Sequence, residues 1–210
     1  MSGVISDILH GVLSQYHQQY GLADVPIKVD FLKPMIEERG CVDRIIWEKY
    51  DFEAKNIAAQ ISFFEAEMGV YAGVGQYARI QYSSSLNFSW QRYVVCKEMY
   101  HCIIDASAND RVTNMAELNK LAEYLVEGPS SAVEPFQAHS TEDFAEILAL
   151  ETLFPMELRT HHRADYDAGK ITPLQLALRY RIPQGEARAA MYPNYFASIQ
   201  SLREGKLVAL

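Results

Sequence analysis

An α+β domain is the fold class this chain predicts, on three observations. The N-terminal segment has helical apolar spacing. The middle third has strand-like runs around a glycine cluster. The remainder reads as a succession of helices. Its 210 residues suffice for one domain with a large core, or for one domain with a helical appendage. With 49% apolar and 22% charged residues, the balance is that of a globular protein rather than a disordered one.

Taken in order, Val4, Ile5, Ile8, Leu9, Val12, Leu13 and Tyr16 recur at the helical period, which predicts a helix to about Tyr20 ended by Gly21. Pro26 to Phe31 suits a short strand, and Leu32 to Arg39 a short helix closed by Gly40. Three strands are then expected: Cys41–Trp47, Ala59–Ala66 and Tyr77–Tyr82. Gly69, Gly73 and Gly75 fit a hairpin connection between the last two. They do not make a phosphate loop, because no Gly-Lys-Ser/Thr follows.

Beyond Ser83-Ser-Ser-Leu-Asn87 the period becomes helical from about Trp90 to Ile104. A second helix is expected over Asn114–Glu127, with Asn114 and Glu117 spaced as a capping box, and a break at Gly128-Pro-Ser-Ser-Ala. Ser140 is placed to cap a long helix stopped by Pro155. Thr172-Pro173 and Pro183 open two short helices, Leu174–Tyr180 and Gln184–Met191, and Pro193 precedes a last one over about Tyr195–Arg203.

The net charge of −8 argues against broad nonspecific nucleic-acid binding. The N-terminus lacks the basic and apolar regions of a secretory signal, and no stretch has the apolar length of a membrane span. Three cysteines, Cys41, Cys96 and Cys102, give an odd count without Cys-x-x-Cys spacing. They read as reduced thiols, and the expected location is the cytoplasm.

The most informative stretch is Arg92-Tyr-Val-Val-Cys-Lys97-Glu98-Met-Tyr-His101. A His-Glu-x-x-His helix projects two histidines from one face toward a single metal, with the glutamate placed to act on metal-bound water. Here Glu98 and His101 hold the last two positions and Lys97 stands at the first. Taken alone, Lys-Glu-x-x-His reads as a surface-facing pair plus a hydrogen-bonded histidine.

The surrounding segments extend the likeness. A strand and a short Ser/Asn loop lead into the Lys97 helix. The segment Glu142-Asp-Phe-Ala-Glu-Ile-Leu-Ala-Leu-Glu-Thr-Leu-Phe-Pro155 follows downstream, and Leu176 to Met191 forms a helix pair. Together these resemble the ImmA/IrrE-type metallopeptidases, in which an Arg-Phe-x-x-Ala-His-Glu-x-x-His helix precedes a glutamate-bearing helix with a proline stop. The resemblance covers roughly Ile45 to Met191. It implies a zincin-like metallopeptidase domain with a small sheet, an active-site helix and a C-terminal helical set. On this reading residues 1–40 are an N-terminal helical segment and residues 41–210 the domain.

Carried over by position, the resemblance makes Glu98 the general base, His101 a metal ligand and Glu142 the third ligand, with Lys97 at the place of the first. Tyr100 occupies a position that the family usually keeps as glycine. An ammonium has three donors and no lone pair, so Lys97 cannot ligate zinc while protonated.

Three accounts stand open. In the first, Lys97 replaces the metal electrostatically between Glu98 and Glu142. In the second, zinc survives on shifted ligands, His101, Asp105 and Glu142, since Asp105 lies four residues past His101 on the same helix face. In the third, Lys97 points to solvent beside an ordinary core. The first leads. It describes a degenerate metallopeptidase-fold protein, with no cofactor expected, that acts by binding a protein partner. The resemblance implies that this partner is a helix-turn-helix repressor of mobile elements or stress responses. The alternative is an active metallopeptidase with the altered ligand set that cleaves a regulatory protein.

Other candidates read more simply. Arg159, His161, His162 and Arg163 suit a solvated basic turn past Pro155. His139 could approach Glu142, and His10 and His17 share a face of the first helix without a third partner. Arg92 is either a solvated helix-end residue or the partner of an acid near the cleft. Arg179, Arg181 and Arg188 lend the Pro173–Met191 pair some positive charge, but its fit to the family tail favours packing over DNA binding.

Overall fold

The computed structural model describes residues 2–21, 25–39, 42–52, 57–69, 73–107, 135–193, 195–196 and 199–200. The helix expected over Asn114–Glu127 and the break at Gly128 lie outside the described residues, as does Cys41. The described chain is α+β with one three-stranded mixed sheet. Helices α1 (Ser2–Tyr20) and α2 (Val29–Glu37) come first. Strands β1 (Arg44–Tyr50), β2 (Ala59–Glu67) and β3 (Val74–Ser83) follow. The helices α3 (Phe88–Ser107), α4 (Pro135–Leu153), α5 (Met156–Asp167), α6 (Pro173–Tyr180) and α7 (Gln184–Ala190) complete the order. None of the described helices is long and apolar enough to cross a membrane.

Strand β3 is central, parallel to β1 and antiparallel to β2. Alternation assigns its two faces. Ala78 and Ile80 are fully buried, aligned with Ile45 and Trp47 of β1 and with Phe63 and Ile61 of β2. The opposite face carries a polar ladder in which Gln60 donates to Gln81 and Gln81 donates to Glu48, while Arg79 lies over Phe64. The hairpin expected at the glycine cluster joins β2 to β3. Gly69 and Gly73 have positive φ there, and the Met68 N–H donates to the Gly73 carbonyl.

Helix α3 packs on the sheet and against α2 and α4. Residues around most of its circumference, among them Tyr93, Val94, Cys96, Met99, Tyr100 and Ile103, are buried, as befits a central helix. Cys96 and Cys102 are unbridged and buried.

Two expectations are corrected. Pro26–Phe31 is not a strand: Ile27, Val29 and Phe31 alternate, but Val29, Leu32, Met35 and Ile36 are the buried set, and that helical spacing prevails. Ser140 is not a cap, because α4 already begins at Pro135, a residue suited to a helix start through its fixed φ and missing N–H. Thr172 does cap α6, in a reciprocal box with Gln175. Of the last expected helix, Tyr195, Phe196, Ile199 and Gln200 are helical, and the remainder to Arg203 lies outside the described residues.

Candidate functional site

The candidate site is built on α3 and α4. Helix α3 starts at Phe88, two residues ahead of the expected Trp90, and Asn87 precedes it: its side-chain oxygen accepts from the Trp90 N–H at 3.1 Å, satisfying one of the first-turn donors. From that start the helix brings Lys97 and His101, four residues apart, onto one face, with Glu98 beside Lys97. Tyr100 sets the spacing to α4: it is fully buried, and its hydroxyl lies 2.5 Å from the Thr152 hydroxyl. A glycine there would leave that space unfilled.

Glu142 reaches across from α4 and joins the group. Its Oε1 accepts from the Lys97 ammonium, and its Oε2 lies 3.1 Å from His101 Nε2. The same ammonium sits 3.1 Å from Glu98 Oε1. The Lys97 and Glu98 side chains are only 15% and 6% exposed, whereas Glu142 is 45% exposed. Lys97, Glu98, His101 and Glu142 are therefore one cluster, and Lys97 does not point to solvent. The Asp105 and His139 side chains lie outside the described residues.

The electrostatics follow from this geometry. Burial opposes charge on Lys97, but the Glu98 charge and the hydrogen bond and charge of Glu142 outweigh it, so its pKa is raised. Its lone pair is thus occupied by a proton, which removes it as a nucleophile, a base or a metal ligand at neutral pH. The hydrogen bond from His101, helped against burial by Lys97, holds the Glu142 carboxyl down to about 2. A metal does not fit this donor set. Lys97 contributes a protonated amine, and both Glu142 oxygens already face donors. Among the described residues no three His, Cys, Asp or Glu side chains are grouped as metal ligands.

The other candidates lie elsewhere, and several readings change. Arg92 is not solvated, and among the described residues no acid pairs with it. It is buried, and its guanidinium donates to the carbonyls of Ile27, Tyr180 and Arg181, holding the C-terminal end of α6. A cation there complements the helix dipole.

The expected basic turn is instead the helix α5. Arg159 is fully buried, paired with Glu151 of α4, donating to the Ala190 carbonyl and facing the rings of Tyr195 and Phe196. His162 is buried with its Nε2 2.8 Å from the Tyr180 hydroxyl, and burial lowers its pKa. His161 is exposed, as adjacent positions on a helix point differently. His10 approaches Ser14 on the surface, whereas His17 is partly buried with its pKa lowered by burial. The Arg159–Glu151 pair has no sequence signal beyond two charges eight residues apart across Pro155.

No protein-family model matches the chain, and a search of curated proteins found no significant match.

Proposed function

We propose that this chain is a degenerate metallopeptidase-fold protein of the zincin-like, ImmA/IrrE-type kind, which regulates by binding another protein and not by zinc-dependent peptide hydrolysis. One observation carries this reading: the ammonium of Lys97, at the first-ligand position of the helix motif, lies between Glu98 and Glu142. A divalent ion and an ammonium answer the same electrostatic need, since each neutralises carboxylates that would otherwise repel. Only the metal can also activate water. A lysine in its place preserves the join between two helices and removes the Lewis acid. The partner that kinship suggests is a cytoplasmic helix-turn-helix repressor of mobile elements or stress responses.

The test is metal analysis of protein purified without chelators, alongside a Lys97→His variant. We expect no stoichiometric zinc in the parent and zinc gained by the variant, whose introduced imidazole would join His101 and Glu142 as a third ligand. Near-stoichiometric zinc in the parent would overturn the proposal. Absence of metal from both proteins would remove Glu142 from the ancestral ligand set.

A further inference from the structure

A second feature lies on another side of α3. A cavity of about 250 Å³ opens between the first turns of α3, the segment before α2, and strands β1 and β3. Trp47, Tyr82 and Val95 give it an apolar wall, and Phe88, Arg92 and Arg181 line it as well. It is smaller than a drug-sized site, so it suits one aromatic or branched aliphatic group.

Three observations concern its charge. First, Arg92 and Arg181 both lie against one ring, Phe88, at 5.9 Å and 5.7 Å from its centroid. The Arg181 charge adds to burial in lowering the Arg92 pKa. The hydrogen bonds that hold Arg92 go to neutral carbonyls.

Second, Arg181 has φ 52 and is the one non-glycine residue with positive φ among those described. A helix C-terminus in this left-handed conformation ordinarily takes glycine, because a Cβ is strained there. An arginine stands there at that cost, and it is among the residues that line the cavity.

Third, the lining includes Lys28, Arg92 and Arg181 against the single carboxylate of Asp30, in a protein whose net charge is −8. The first turns of α3 add the positive end of a helix.

We propose that this cavity binds a small carboxylate with an apolar body, its anionic group accepted by Arg181 beside Arg92 and its body lying against Trp47 and Phe88. Guanidinium forks match a planar carboxylate, and the apolar wall requires a body that a bare inorganic anion lacks. The carboxylate is that of a free acid or of a peptide C-terminus ending in an apolar residue. The site does not depend on the reading of Lys97, and the Lys97→His variant should leave it unchanged.

The experiment titrates the full-length protein with phenylacetate, phenylacetamide, Gly-Gly-Phe, the C-terminal amide of Gly-Gly-Phe, and inorganic phosphate. Calorimetry and the tryptophan fluorescence that Trp47 contributes are the readouts. Arg181→Gly is the paired variant: it keeps the left-handed cap and removes the guanidinium, so a retained melting temperature separates binding from folding. We expect at least one carboxylate probe to bind, its amide and phosphate not to bind, and Arg181→Gly to weaken binding tenfold or more. Binding of phenylacetate alone assigns a free acid, and binding of the peptide assigns a peptide terminus; either supports the site. Binding by neither carboxylate, equal binding of the amides or of phosphate, or undiminished binding by Arg181→Gly overturns it.

Discussion

Lys97 shows how one cation can join two helices through a carboxylate on each. Its ammonium lies between a buried carboxylate, Glu98, and a half-exposed one, Glu142. Lys97→Ala should therefore cost about 2 kcal/mol of stability at pH 7, less than the ~3–5 of a fully buried pair because solvent screens Glu142. The loss should depend on pH in a defined window. Glu142 titrates at 4.5 in an unperturbed state and at about 2 here. A depressed carboxylate contributes stability that is complete above its unfolded pKa and is lost as pH falls through the folded value. Urea unfolding of parent and variant should thus differ most from about pH 5 up to the range where a free lysine titrates. The two should draw closer as pH falls from 4.5 to about 2, the His101 hydrogen bond holding Glu142 down in both proteins. A variant as stable as the parent at pH 7 would dismiss the bridging role. This cluster was legible because helix spacing fixes which residues share a face, and two helical blocks in order placed Glu142, 45 residues from Lys97, opposite. Arg92 was not legible in the same way. Its partners are backbone carbonyls, which every residue presents and no pattern marks.

At the scale of elements, the helices after α3 were readable wherever proline and threonine punctuate them, as Thr172-Pro173 and Pro183 do. Charge misled where burial decided. Arg159 looked solvated among basic neighbours, yet it joins α4, α5 and the end of α7 through Glu151 and the Ala190 carbonyl. Both side chains of the pair are 0% exposed. Removing one charge from such a pair leaves the other without its counter-ion in a low-dielectric interior, whereas replacing both removes the desolvation cost as well. Arg159→Met should then lose about 3–5 kcal/mol, and the double variant Arg159→Met/Glu151→Met should recover more than half of that loss. Denaturant midpoints for the two single variants and the double variant close the cycle. Simple additivity would mean that the two groups act independently. The misplaced strand at Pro26–Phe31 has a different physical origin: over six residues, alternation and helical spacing share too many positions to be told apart.

For the whole molecule the decisive element is the one least like the rest in sequence. Nothing in the first forty residues carries the metallopeptidase resemblance, yet Val12, Leu13 and Tyr16 are 0%, 6% and 0% exposed and belong to the same core cluster as Ile80, Met99 and Leu148. The Tyr16 hydroxyl also accepts from the Lys28 N–H at 3.0 Å, which ties the segment just before α2 to α1. Burying one large apolar side chain fully contributes about 1.5–3 kcal/mol, so these three account for roughly 4.5–9. A domain of ordinary size has only ~5–15 kcal/mol of net stability. A protein beginning at residue 22 should accordingly lose its cooperative thermal transition, with ellipticity at 222 nm falling gradually on heating. Leu13→Ala in the intact protein should keep the transition and give up about 2–3 kcal/mol, within the range of core truncations that leave a cavity. A sharp transition at an unchanged Tm for the shortened protein would make α1 an appendage. Failure of Leu13→Ala to shift the Tm would place its side chain outside the core. Loss of cooperativity in the first protein with a modest shift in the second would make α1 part of the folding unit, and the Lys97 cluster would then rest on a core that begins at the N-terminal helix.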